Sequence, residues 1–219
     1  MSKIIIANFK ANGNKEFFND WLSGFNNESQ NQILLSPPSV YLDFFSEKKI
    51  NFELCSQNVC EYEEGQFTSQ HTASMLLDLG VKNCIIGHSE SRSLLKEEDC
   101  QIFEKFEKLN NKKIRPIVCI GEPLEIRESN KVRDYIKNQT EKFHNFEGEI
   151  IFGYEPLWAI GTGRVPKLDG PNGPNKESEL PPPKADPRSE PLPCCIKTDA
   201  TISTPKITKI IFINMTALS

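Results

Sequence analysis

The sequence predicts an α/β fold, a parallel sheet covered by helices, built from six βα units over residues 1–166. Three observations carry this. Short, continuous apolar runs alternate with stretches in which apolar residues recur at helical spacing. Polar residues of catalytic type stand just past the ends of those runs, and the alternation stops after Pro166. A strand buried on both faces is apolar along its whole length, as strands of helix-covered parallel sheets are.

The runs are Lys3–Ala7, Gln32–Leu35, Phe52–Ser56, Asn83–Ile86, Pro116–Ile120 and Glu149–Tyr154. Phe17, Phe18, Trp21 and Leu22 mark a helix after the first run. Ile102, Phe103, Phe106 and Leu109 mark another after the fourth, and Val132, Tyr135, Ile136 and Phe143 fit one after the fifth. Just beyond the runs stand Asn8 and Lys10, Gln57 and Asn58, His88, Glu122, and Glu155. In α/β folds that edge of the sheet is where ligands bind.

Ten of the fifteen prolines lie between Pro166 and Pro205, including Pro181-Pro182-Pro183. Residues 167–219 form a second, proline-rich segment. Proline removes backbone donors and large apolar residues are sparse, so Lys167–Lys206 is expected to be disordered. Only Ile207–Met215 has strand character, and such a strand left unpaired would be prone to aggregate.

Composition narrows the function classes. A net charge of −4 gives no case for nucleic acid or an anionic membrane surface, and mean hydropathy is −0.45. No run reaches the ~20 apolar residues that span a bilayer. Met1-Ser2-Lys3-Ile4-Ile5-Ile6 lacks the features of a signal peptide and reads as a first strand. Seven cysteines at irregular spacing make neither a disulfide framework nor a zinc set. Cys55, Cys84 and Cys119 fall in apolar runs as core residues, and a cytoplasmic location is expected.

The most informative stretch is Tyr154-Glu155-Pro156-Leu157-Trp158-Ala159-Ile160-Gly161-Thr162-Gly163. A carboxylate ends an apolar run. Pro156 then fixes the backbone, and Gly161 and Gly163 permit close approach of backbone N–H groups to a ligand. This stretch resembles the catalytic loop of triosephosphate isomerase. Asn8-Phe9-Lys10, Pro37-Pro38, Gln57-Asn58, Gly87-His88-Ser89-Glu90 and Cys119-Ile120-Gly121-Glu122 resemble further motifs of that family, in the same order. The resemblance implies a (β/α)8 barrel, incomplete here at six βα units. It also implies interconversion of dihydroxyacetone phosphate and glyceraldehyde 3-phosphate through an enediolate, without cofactor or metal.

By the same resemblance Glu155 is the general base and His88 a neutral electrophile. Lys10 is a cation beside the sugar phosphate, Asn8 and Gly161 bind substrate, and Glu90 and Cys119 support the site. A neutral imidazole facing helix N–H groups is the known condition of this family's histidine, and only the resemblance extends it to His88. Desolvation of Glu155 under a lid spanning Pro156 to Pro166 is expected to raise its proton affinity. His71 and His144 read as histidines satisfied by backbone carbonyls. Gly65-Gln66-Phe67-Thr68 resembles the loop that joins family members as homodimers. Ser91 and Gln70 stand where the family has an intersubunit ion pair, so a weakened dimer is expected.

The resemblance fades after Pro166. The family's glycine turns after its seventh and eighth strands, which hold the phosphate, have no counterpart. Lys209-Ile210-Ile211-Phe212 faintly resembles the entry to the seventh strand. Three readings follow: an isomerase, a catalytically inactive remnant of a truncated or frameshifted barrel, and an aldolase using Lys10 as a Schiff-base nucleophile. The last needs an apolar niche for Lys10, which Asn8, Asn12 and Lys15 argue against.

Overall fold

A computed structural model describes residues 3–25, 30–48, 51–146 and 150–159, with the backbone of 210–214. Six strands follow the predicted runs closely: β1 (Ile4–Asn8), β2 (Gln32–Ser36), β3 (Glu53–Ser56), β4 (Asn83–Ile86), β5 (Arg115–Ile120) and β6 (Ile151–Tyr154). A further strand, β7 (Ile210–Asn214), lies in the proline-rich segment. The sheet is parallel throughout, in the order β6-β5-β4-β3-β2-β1-β7.

The six-stranded sheet expected from the sequence therefore gains a seventh strand, and the β1 edge is covered. In a ring where each strand neighbours the next in sequence, the place beside β1 belongs to the eighth strand. The likeness of Lys209–Phe212 to the entry of a seventh strand is thus not matched by its position. The free edge of an Ile-rich first strand offers an apolar, unbonded ladder, and an Ile-rich segment satisfies it. Lys167–Lys206 and Gly161–Pro166 lie outside the described residues.

The strands bury alternating residues on two faces. Ile4, Ile6, Leu34, Cys55, Ile85, Ile117, Cys119 and Ile151 pack together on one face. Ala7, Leu35, Cys84, Ile86, Val118 and Ile120 pack on the other, against the helices. Two buried faces explain why the runs are continuously apolar.

The three periodic stretches are helices α1 (Lys15–Gly24), α5 (Asp99–Asn111) and α7 (Val132–Glu141). Four short helices lie between them: α2 (Leu42–Ser46), α3 (Ala73–Asp78), α4 (Ser89–Leu94) and α6 (Leu124–Glu128). Asn14 starts α1 by accepting the Phe17 N–H at 2.8 Å, a cap worth ~1 kcal/mol. Phe18 of α1 is fully buried, edge-on to Phe9 (5.2 Å), Tyr41 (5.0 Å) and Phe45 (5.0 Å) between ring centroids. No helix among the described residues is long and apolar enough to cross a membrane.

The two ends of the strands differ in chemistry. At the amino ends, the Glu53 carboxylate accepts from Gln32 Nε2 (2.7 Å) and Asn83 Nδ2 (2.9 Å). Arg115 Nε in turn donates to Asn83 Oδ1 at 2.7 Å. That end is a closed polar clamp. The carboxyl ends carry the groups described next.

Candidate active site

Asn8 ends β1 and is buried; its side-chain oxygen accepts the Lys10 N–H at 2.9 Å. This bond holds Lys10 in the left-handed region at φ 50°, which a side chain with a Cβ reaches only at a cost of ~1–2 kcal/mol. Gln57, after β3, donates from Nε2 to the carbonyls of Lys10 (2.9 Å) and Ser36 (3.0 Å). The turn is therefore fixed from two sides, and Lys10 Nζ lies 2.7 Å from Glu90 Oε1.

His88 follows β4 after Gly87, which takes φ 66°, and it immediately precedes α4. Its Nδ1 lies 3.3 Å from the Glu90 amide nitrogen and 3.5 Å from Glu90 Oε2. Its Nε2 lies 3.2 Å from Glu155 Oε1. Glu155 follows β6 and is buried, and its Oε2 accepts the Ser89 N–H at 3.3 Å. Asn8, Lys10, Glu90, His88 and Glu155 are thereby gathered at one edge of the sheet.

The electrostatics depart from expectation. Burial pushes the Glu155 carboxyl up, but the adjacent imidazole and the Ser89 N–H together hold it below the ordinary carboxylate value. Burial pushes His88 down, yet Glu155 and then Glu90 hold it above the ordinary imidazole value. The Glu90 amide facing Nδ1 favours a neutral ring, but two carboxylates against one amide decide the direction. In this arrangement each partner favours the charged form of the other, the reverse of the neutral ring and raised carboxyl expected from the sequence.

Cys119 lies in β5, buried, and burial first and Glu155 second push its thiol up, so it stays an inert thiol. Its carbonyl accepts from Arg92 Nη2 at 3.1 Å. Arg92 also donates from Nε to the Gly87 carbonyl (2.8 Å) and from Nη1 to Asp99 (2.6 Å). It thus stitches the end of β4 to β5 and α5.

Gly121 admits no side chain: a Cβ there would run into the backbone of Glu155. The Glu155 N–H donates to the Ile120 carbonyl at 2.7 Å, so the two strand ends are locked together.

One cluster has a role that sequence reading did not assign. Glu122, fully buried, accepts from Tyr154 OH (2.8 and 2.9 Å) and Trp158 Nε1 (2.8 Å), with Arg127 Nη1 at 3.6 Å. Its carbonyl accepts the Leu157 N–H at 3.0 Å. The segments on either side of Glu155 are thus tied to one carboxylate. Burial, with the Glu122 charge next, raises the Tyr154 hydroxyl well above the ordinary phenol value, so it remains a donor. The signal for this role is a glutamate one residue removed from the end of a buried run, after Gly121.

Gly161 and the lid from residue 160 onward lie outside the described residues. His71 Nε2 lies 2.7 Å from the Asn58 carbonyl, as expected, whereas His144 is exposed on the surface. The Gly65–Thr68 loop is exposed, with Tyr62 and Phe67 stacked at 4.0 Å between ring centroids.

A parallel βα sheet with a lysine, a histidine and a glutamate gathered at the carboxyl ends of its strands has the architecture of a (β/α)-barrel enzyme. Comparison with known proteins makes this specific. A sequence model of the triosephosphate isomerase family matches residues 3–173, continuing past Pro166. The chain is 37% identical over 179 residues to triosephosphate isomerase of Francisella tularensis subsp. novicida, covering 77% of this chain and 71% of that protein. It is 38% identical over 169 residues to that of Dictyostelium discoideum, covering 73% and 66%. With that of Mesomycoplasma hyorhinis it shares 38% over 177 residues, covering 75% and 73%. The chain belongs to the triosephosphate isomerase family.

Proposed function

We propose that the chain isomerises dihydroxyacetone phosphate and D-glyceraldehyde 3-phosphate, with Lys10, His88 and Glu155 as the working groups. The observation that carries this is the 3.2 Å approach of His88 and Glu155 at the strand ends, with the Lys10 ammonium on the far side of Glu90. A substrate entering between His88 and Glu155 separates them. Glu155, its cationic partner displaced and still buried, regains proton affinity and takes a proton from the carbon beside the carbonyl. His88 donates from Nε2 to the enediolate oxygens while Lys10 offsets their negative charge. Glu155 returns the proton to the neighbouring carbon, so no redox partner is needed. Asn8 and Gly161 complete the substrate contacts, and Cys119 and Glu90 support the site.

The direct test is an isomerase assay on the purified chain and on Glu155→Asp. Shortening the carboxylate retracts the base by about an ångström, which lowers kcat on the order of 10²-fold with KM little changed. Equal activity of the two chains removes Glu155 from the mechanism.

The second reading is an inactive remnant. What favours it is the strand beside β1, which ends in Ile213-Asn214 where the family's phosphate turns carry glycines. Absence of turnover, together with weak binding of a triose-phosphate analogue, decides for it. A Schiff-base aldolase is disfavoured because Lys10 lies 2.7 Å from the Glu90 carboxylate rather than in an apolar niche, and failure of borohydride to trap a carbonyl substrate on Lys10 closes that reading. Within the isomerase reading, the chain works in the cytosol and pairs with a second copy through the Gly65–Thr68 loop.

A further inference from the structure

The strand β7 is a near copy of the strand it lies against. Lys3-Ile4-Ile5-Ile6-Ala7-Asn8 and Lys209-Ile210-Ile211-Phe212-Ile213-Asn214 carry the same residue at four of six places: the Lys, two Ile and the Asn. The two run parallel and in register, Ile4 beside Ile210, Ile5 beside Ile211 and Asn8 beside Asn214. Like-on-like, in-register parallel stacking is the arrangement in which apolar β-branched residues and asparagines form matched rows. The asparagine that ends each strand also penalises a slip, because a shift of one residue breaks that match. The segment thus specifies both the partner strand and the register.

That segment identifies β1 without identifying whose β1 it is. Among the described residues β1 is the sole strand neighbour of β7. The connection from β6 covers the 55 residues between Tyr154 and Ile210. A connection of that length gives the intramolecular partner an effective concentration on the order of mM or less, so a second copy competes as chain concentration approaches that value.

We propose that residues 210–214 are an exchangeable strand, and that two copies of the chain dock each other's 210–214 segments on β1. Reciprocal exchange fills both acceptor edges with the native ladder, so the product is a closed dimer. It is distinct from pairing through the Gly65–Thr68 loop, which leaves each β1 with its own β7.

The test uses two full-length variants, Ile5→Cys and Ile211→Cys, carrying different isotope labels. They are mixed in equal amounts, unfolded together, refolded and oxidised. Registered neighbours in a parallel pair fall within the Cα separation a disulfide needs. Linked peptides are identified by mass spectrometry, which separates the 5–211 link from links made by the native cysteines. Exchange gives a 5–211 link between differently labelled chains. At complete exchange about half of the dimers carry it, from random mixing of two equal populations of a two-fold dimer. The yield rises with chain concentration and falls when a synthetic peptide of residues 208–214 is added in excess. The Ile5→Cys/Ile211→Cys double variant, refolded dilute, reports the intramolecular pairing. A link in the double variant with none between the mixed chains overturns the proposal, since the strand then closes only on its own chain. No link in either overturns it as well, because the pairing it rests on is then absent.

Discussion

Glu155 in the free site is engaged by His88, and that single contact governs how the site titrates. Replacing Glu155 with Gln removes the main influence that raises His88 and leaves burial, which lowers it. The His88 ring, followed by NMR, should titrate above its ordinary value in the parent and distinctly lower in Glu155→Gln. An unchanged midpoint means the two side chains do not pair in solution. The same contact sets a pH window for stability. Glu155 is depressed below 4.5, so its contribution is complete above that value and is lost as pH falls through its folded-state value. His88 is raised above 6.5, so its contribution is complete below 6.5 and is lost as pH rises through its folded-state value. The pair therefore stabilises most between those two reference values. That Asn8, Lys10, His88 and Glu155 meet at one edge of the sheet is legible in the sequence, because each stands at or just past the end of an apolar run. Their charge states are not, because these depend on a 3.2 Å approach between residues 67 positions apart.

At the scale of elements, the ends of β5 and β6 act as one unit held by Glu122. Glu122→Ala would take the shared acceptor from the half-buried Tyr154 hydroxyl and Trp158 indole N–H, a cost of at most about 1–3 kcal/mol for each. Urea unfolding should show that loss, and kcat should fall with it, since Glu155 lies between the two anchored residues. Glu122→Gln keeps an acceptor and should be much milder. Equal stability of the two variants would mean the network is dispensable. The six runs are readable as strands because both faces of each are buried. Helices α2, α3, α4 and α6 escape such reading because five or six residues show no full helical period. β7 escapes it for another reason: what places it is a partner some 200 residues away.

At the scale of the whole molecule, the described residues place seven strands in one sheet where a closed barrel has eight, and the pairings described leave the outer edges of β6 and β7 facing no strand. Unpaired strand edges recruit other chains. Light scattering by the purified chain should therefore rise steeply with concentration, and an added apolar dye should fluoresce with the native protein. A chain that stays clear at high concentration and melts in one sharp transition would mean that residues outside those described close the ring. The parallel α/β class is legible from alternating runs and helical stretches. The state of the ring is not, because proline-rich sequence with little pattern offers nothing on which to place an element.

The pairing of β7 with β1 also sets a timetable. On a ribosome β1 emerges well before β7, and the strand that completes its edge follows some 200 residues later. At about 5–20 residues per second that interval is on the order of 10–40 s. Closing a short loop takes well under a microsecond and forming a hairpin about 1–10 μs. Throughout that interval the newborn chain carries an Ile-rich edge that β7 has yet to cover, beside neighbouring nascent chains that carry the same edge.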